Sequence, residues 1–399
     1  MSLCHIPEKV EVMLRSLPSA PIRNVPFIDL TRSLRGRTDD ILIRWRGILE
    51  GAEFVGGPTV SRLEAELQET TGCGGALACA NGTDALILAL QASGIRSGMK
   101  VALPNLTFWA TYEAVVQIGA EPVLIDMNPD DLQLDLGELK QAHEKFRLDG
   151  AILAHLFGWA SGSLDGIRAY CREEEIRLIE DAAQAFGVTR EDGPIFSGSS
   201  LSTLSFYPAK VFGGAMDGGA VVGDDLDAIR NCRVLANHGR SSHYGFTQVG
   251  WNSRMSGLQA AFLLETMDGV DSSIQSRNEA LQIYANILKT EIDRGSVRMW
   301  NSPSGISGNG YLSVFTLDPA KIRGVQEALT RASVGHGRVY PTTIIDQPCV
   351  PRGILRASEL ARSRSFSSSV INLPIFGGIT PDEVDFAARA FIDALKECP

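Results

Sequence analysis

A chain of 399 residues is long enough for one large core and a second, smaller domain, and its 44% hydrophobic and 21% charged residues are ordinary for a globular protein. A formal net charge of −10 excludes a general nucleic-acid binder, which would carry a basic face. No run of about 18 apolar residues occurs, so no membrane-spanning helix is predicted. The opening stretch MSLCHIPEKVEVMLRSLPSAP carries acids and lacks a continuous apolar core, unlike a signal peptide. The seven cysteines are scattered and never spaced as CxxC, which fits reduced thiols in a cytoplasm better than a disulfide frame or a zinc site.

In chain order, residues 1–25 read as an N-terminal arm with one short helix. TDDILIRWRGILEG predicts a helix, and so does PTVSRLEAELQETTG, with Pro58 at its start and Gly72 at its end. A rhythm follows in which ALACA, KVALP, EPVLIDM, GAILAHLFG and IRLIEDA are short buried strands with helices between them. Such alternation implies βαβ units and a mainly parallel sheet covered on both faces, with ligands bound at the carboxyl ends of the strands. We place this large α/β domain at 26–270. Long helices follow 251, and residues 271–399 predict a smaller α+β domain with strands YLSVFTL and VINLP. GNG at 308–310 and the Ser/Arg-rich 353–369 are read as its loops.

Several stretches fall at strand ends. In NGTDAL, Gly82 and Thr83 open a helix whose first amides favour an anion, although a plain cap would use the same residues. In EDAAQAFG, Asp181 emerges at the end of an apolar strand with Gln184 behind it. An acid there serves as a structural cap, or faces a heterocyclic nitrogen and keeps it protonated. In SFYPAKVFGGAMDGGAVV, Lys210 is the one charge among 206–214. Desolvation would make its amine a nucleophile toward carbonyls, and the alternative is a surface lysine lying along Phe206 and Phe212. The nearby glycines match neither a Walker A motif nor GxGxxG. In PNLTFWAT, the aromatics starting a helix are core residues or a stacking platform for a flat ring. A phosphate cradle, a ring platform, an acid and a lysine are the parts that a pyridoxal phosphate site requires.

On these residues the chain resembles the DegT-type sugar aminotransferase family, within fold type I of pyridoxal phosphate enzymes. FVGGPTVSRLEAEL, NGTDAL, PNLTFWAT, GAEPVLIDM, EDAAQAFG, SFYPAK, DGGAVV, WNSRMSGLQAA and INLPIFGGITPDEV carry the likeness, from about residue 26 to the C-terminus. The resemblance implies a seven-stranded-type sheet in the large, cofactor-binding domain. It implies that Lys210 forms the Schiff base and shuttles the proton, and that Asp181 holds the pyridine nitrogen protonated. Phe108 would stack on the ring, Gln184 and Ser205 would contact the phenolic oxygen and phosphate region, and Gly82 and Thr83 would donate to the phosphate. Asn252 would reach the phosphate of a neighbouring subunit, which requires a homodimer with its active site at the interface. Some members are dehydratases with His at the lysine position; Lys210 favours transamination. Members usually carry Glu-Gly-Gly where this chain has Asp217-Gly218-Gly219.

The activity so implied is transfer of an amino group from L-glutamate or L-glutamine to a keto-sugar, nucleotide-linked as is commonest in the family, through pyridoxamine phosphate. A keto-cyclitol or other keto-polyol of antibiotic biosynthesis, or a dehydratase or cyclase outcome on the same scaffold, is the alternative. Arg240, Arg254, Arg338 and His336 are candidate cations for an anionic substrate, and Tyr340 and Trp159 candidate sugar-facing groups. Each cation reads first as a solvated surface charge. His155, inside an apolar strand, reads as a hydrogen-bonded core histidine.

Overall fold

A computed structural model describes residues 24–398. The predicted strands form β1 (Gly75–Cys79), β2 (Lys100–Pro104), β3 (Glu121–Ile125), β4 (Gly150–Ala154) and β5 (Arg177–Asp181). Two strands unmarked in the sequence reading, β6 (Ser202–Ser205) and β7 (Gly219–Gly223), flank the lysine loop. The smaller sheet is β8 (Arg298–Trp300), β9 (Val314–Thr316) and β11 (Val370–Ile371), all antiparallel. Between them in sequence lies β10 (Leu355–Arg356), which joins the large sheet instead.

The large sheet runs β1-β7-β6-β5-β4-β2-β3-β10. The expected seven strands are β1–β7; the eighth, β10, is two residues long and follows Pro351 and Gly353, so it carries no alternation to read. Strand β7 is antiparallel to both neighbours and every other pairing is parallel. Alternate residues feed two cores: Ala151 and Leu153 of β4 pack on one face, Ile152 on the other. That is why these strands are apolar throughout rather than alternating.

Helices α1 (Thr38–Gly51) and α2 (Pro58–Thr71) precede the sheet, and α2 starts on Pro58 and ends on Gly72 at φ +69. Helices α3 (Gly82–Ala92), α4 (Trp109–Gln117), α5 (Leu136–Phe146), α6 (Leu164–Glu173) and α7 (Leu226–Ala236) cover its faces. After α8 (Gly257–Thr266), the long α9 (Val270–Ile287) begins among the large core through Val270 and Ile274 and ends in the small core through Ala280 and Tyr284. The small core is completed by α10 (Ile322–Arg331) and α12 (Pro381–Glu397), the latter opened by a Thr380–Glu383 capping box.

The Ser/Arg-rich 353–369 is not all loop: Ala361–Ser369 forms α11. Serine competes for backbone bonds and weakens the helical signal. Tertiary contacts override it. Asp126 accepts from the N–H groups of Arg362 and Ser363 at the helix start, and Arg338 donates to the carbonyls of Ser367 and Ser368 at its end. Ile344, Val350 and Leu360 of the preceding segment pack on the large sheet.

Candidate active site

The strand register brings the chemistry to one sheet edge. Cys79 at the end of β1 opposes Gly219 at the start of β7, which opposes Ser205 at the end of β6, while Asp181 at the end of β5 is level with Thr203. Helix α3 starts directly after β1. Asn81 Oδ1 accepts from the Asp84 amide at 2.8 Å, so Asn81 is the cap and Gly82 and Thr83 fall in the first turn, where amides lack helical partners. A Cβ on Gly82 would lie 2.8 Å from Ser205 Cβ, and one on Gly219 would lie 2.4 Å from the Asn81 carbonyl carbon. Only glycines let these backbones meet. A Gly82→Ala enzyme should therefore bind pyridoxal phosphate about tenfold more weakly, or about 1.4 kcal/mol, in an equilibrium titration. Unchanged affinity would remove this corner from the phosphate cradle.

Asp181 is buried and its orientation is fixed. Oδ2 accepts from Thr111 Oγ1 at 2.8 Å, Thr111 is tied to Thr107 at 2.8 Å, and Oδ1 accepts from the Ala183 amide at 3.2 Å. Among the described residues no Lys, Arg or His pairs with it. Buried carboxylates are normally paired. A protonated ring nitrogen supplies such a pair, so the residues present fit pyridoxal phosphate.

Lys210 follows a turn in which its N–H donates to Tyr207 O at 2.9 Å. Its amine lies 5.0 Å from the centre of the Tyr311 ring. Phe206 and Phe212 are core residues, Phe212 stacking on Phe186 at 4.7 Å. The loop beyond is pinned from behind by buried Gln259. Its Oε1 accepts from the amides of Ala215 and Met216, and its Nε2 donates to Met216 O at 2.7 Å. Asp217, where the family usually has Glu, is exposed on this loop.

Gln184 Oε1 accepts from the Phe157 amide at 2.6 Å, and its Nε2 donates to the Tyr340 hydroxyl. Tyr340 has φ +65, costly for a bulky side chain, and meets the Phe157 ring edge-on at 5.8 Å. Burial pushes its phenol well above the usual range, so it stays neutral. Asn309 Nδ2 donates to the carbonyls of Gln184 and Phe186, and its Oδ1 accepts from the Tyr311 amide. Asn309 and Tyr311 thus link Gln184 to Lys210. The sequence predicts only a loop at GNG; a pair of glycines around one Asn, directly before an aromatic, is the local signal for this contact.

Phe108, at the cap of α4, is 60% exposed, which no core reading allows, whereas Trp109 packs on Tyr112 at 4.8 Å. Asn252 is also exposed, bridging to Asn237 and accepting from Arg254. Arg240 spends its guanidinium on Ser242 and His243 of its own loop. His336 Nδ1 lies 3.1 Å from Val334 O, and Arg338 holds the end of α11. Trp159 is buried and donates to Asp131 O at 2.8 Å. None of these four is hydrogen-bonded to Lys210, Asp181 or Gln184. His155 is a core histidine: its Nε2 lies 3.1 Å from Glu180 Oε2, in a buried cluster that Arg168 completes with bonds of 2.7 and 2.9 Å to the same carboxylate.

The DegT/DnrJ/EryC1/StrS aminotransferase family pattern matches residues 37–391. The chain is 35% identical over 360 residues (90% of it, 95% of the relative) to UDP-N-acetyl-3-dehydro-alpha-D-glucosamine 3-aminotransferase of Acidithiobacillus ferrooxidans. It is 31% identical over 351 residues (88% and 95%) to UDP-2-acetamido-2-deoxy-3-oxo-D-glucuronate aminotransferase of Pseudomonas aeruginosa. A Brucella abortus aminotransferase of this family superposes with TM-score 0.87 at 28% identity, covering 93% of this chain and 99% of that one. DesV of Streptomyces venezuelae, solved with a ketimine intermediate, superposes with TM-score 0.85 at 27% identity, covering 95% and 98%. With the lysine, the cation-free acid and the glycine-walled corner on one sheet edge, the match over most of its length makes this chain a member of the DegT/DnrJ/EryC1/StrS family, a pyridoxal phosphate-dependent aminotransferase.

Proposed function

We propose that the enzyme moves an amino group from L-glutamate or L-glutamine to the carbonyl carbon of a keto-sugar carried on a nucleotide. The observation that carries the reading is the shared sheet edge of Lys210, buried Asp181 and the Gly82–Ser205 corner. The names of the relatives from Acidithiobacillus ferrooxidans and Pseudomonas aeruginosa, both acting on UDP-sugars, support the acceptor class. When bound, pyridoxal phosphate supplies an electron sink beside the reacting carbon.

The chain's own residues do the rest. Lys210 would hold the cofactor and, in each half-reaction, would move a proton between the substrate carbon that bears the nitrogen and the cofactor carbon. Asp181, oriented by Thr111, keeps the ring nitrogen protonated. Gly82, Thr83 and Ser205 bind the phosphate, Gln184 the phenolic side, and Phe108 covers the ring. Asn252 serves the phosphate of the partner in a homodimer, which fits its exposure. The unbridged, buried thiols of Cys73, Cys79, Cys171 and Cys232 fit a reducing cytoplasm. Among the described residues no helix is long and apolar enough to cross a membrane.

The test loads the enzyme with amine from the donor and follows return of the starting spectrum on adding acceptors. UDP- or dTDP-linked keto-sugars should act at concentrations at least about 100-fold below the free keto-sugars, about 2.7 kcal/mol of nucleotide recognition. A keto-cyclitol or other keto-polyol that works equally well would replace the nucleotide-sugar reading.

A further inference from the structure

A cavity of 380 Å³ lies against the lysine loop, walled by Lys210, Phe212, Ser273, Ser276, Arg277 and Phe376 among others. Its size is at the lower end for small-molecule pockets and is enough for an amino acid. Among the described residues four guanidinium groups stand on its wall and differ in how they are satisfied, Arg35 lying exposed to solvent. Arg32 pairs with Asp29 and Glu383, and Arg37 with Asp268. Arg277, on α9, is 7% exposed and has no carboxylate partner among the described residues. Its Nε reaches Ser273 Oγ at 3.3 Å and its Nη1 reaches Gly310 O at 3.4 Å, both long bonds to neutral groups. Burial pulls the group down to about 10, which still leaves it charged at neutral pH.

A buried charge is normally paired, and leaving one unpaired is expensive. The placement is also built. Gly310 has φ +66, and a Cβ there would meet Arg277 Cβ at 2.6 Å, so only glycine lets the loop lie on α9. The next residue, Tyr311, carries the ring beneath the Lys210 amine. Among the described residues the one acid on the cavity wall, Asp29, is already held by Thr31 and Arg32.

Resting on the donor reading above, we propose that Arg277 binds a carboxylate of the amino donor and makes the enzyme select glutamate over its amide, glutamine. A guanidinium buried without a counter-ion is compensated by a carboxylate, whereas a carboxamide leaves the charge unpaired. Sites of this kind discriminate strongly against the analogue that leaves a buried group unsatisfied.

The experiment uses the holoenzyme. Donor half-reaction rates with L-glutamate and L-glutamine are read from the cofactor spectrum, and binding of glutarate, a dicarboxylate with no amine, is read by calorimetry. Wild type should prefer glutamate at least about tenfold in efficiency and bind glutarate. Arg277→Gln should lose glutarate binding, and its glutamate efficiency should fall to that of glutamine. Arg277→Lys should keep part of both. If Arg277→Gln does not fold, the wild-type ratio and Arg277→Lys still decide. Equal use of both donors by wild type, a preference that survives in Arg277→Gln, or a rise confined to the acceptor KM would each overturn the proposal. Failure of wild type with both amino acids would instead overturn the donor reading on which it rests.

Discussion

Replacing Lys210 with alanine is expected to lower turnover by at least about 10⁴-fold, because it removes a proton-transfer group and a covalent nucleophile at once. The two roles are separable by measurement. Steady-state rates report both together. The visible absorbance of the covalently held cofactor reports attachment alone and should disappear. Single-turnover rates with amine-loaded enzyme bypass attachment and should still fall by about 10²-fold or more. Lys210→Arg should not rescue, since a guanidinium keeps its proton near neutral pH. A Lys210→Ala enzyme with near-normal single-turnover rates would assign proton transfer to another group.

The second large effect concerns stability. Glu180→Gln should destabilise the fold by about 3–5 kcal/mol, the usual cost of removing one partner from a buried ion pair. Glu180 holds Arg168 through two bonds and meets His155 with a third, all buried. The amide oxygen can still accept one bond but cannot neutralise Arg168, which would be left among neutral acceptors that include the carbonyls of Ile195 and Ser197. Burial by itself would raise the Glu180 carboxyl, but the bonds from His155 and Arg168 outweigh it and hold the group below the ordinary carboxylate range. A depressed carboxyl stabilises the fold fully above its unfolded value and loses that contribution as pH falls through the folded one. The gap between wild type and Glu180→Gln, measured by denaturant unfolding, should thus be constant near neutrality and shrink below the reference value of 4.5. A gap under about 1 kcal/mol at neutral pH would class the cluster with weak surface pairs.

Much of the large domain is legible in the sequence because its strands are apolar on both faces and its helix ends carry Pro, Gly and Asn signals. KVALP became β2 at the predicted residues, and Pro58 and Gly72 mark α2 as expected. The region after Lys210 is harder. Strands β6 and β7 are rich in Ser and Gly, and their character comes from pairing with each other and with β1 and β5. Helix α11 is a serine run held by Asp126 and Arg338 from elsewhere in the chain. At the site, the motif-borne Gly82, Asp181, Gln184 and Ser205 are local features of strand ends. Asn309, Tyr311 and Arg277 are not, because their chemistry depends on a loop crossing α9, and only folding brings that about. Among the cations singled out from sequence, Arg240 and Arg338 satisfy backbone carbonyls, an outcome that residue type alone cannot separate from ligand binding.

Gln259 gives the loop after Lys210 an unusual division of labour. One buried amide on α8 holds Ala215 and Met216 by their backbones and leaves the side chains of residues 215–217 exposed. A Cβ on Gly214 would sit 1.8 Å from Gln259 Nε2, which ties the inner half of the loop to a single sequence. The outer half carries exposed side chains, so 215–217 forms a cassette that a library should be able to rewrite while the lysine keeps its address.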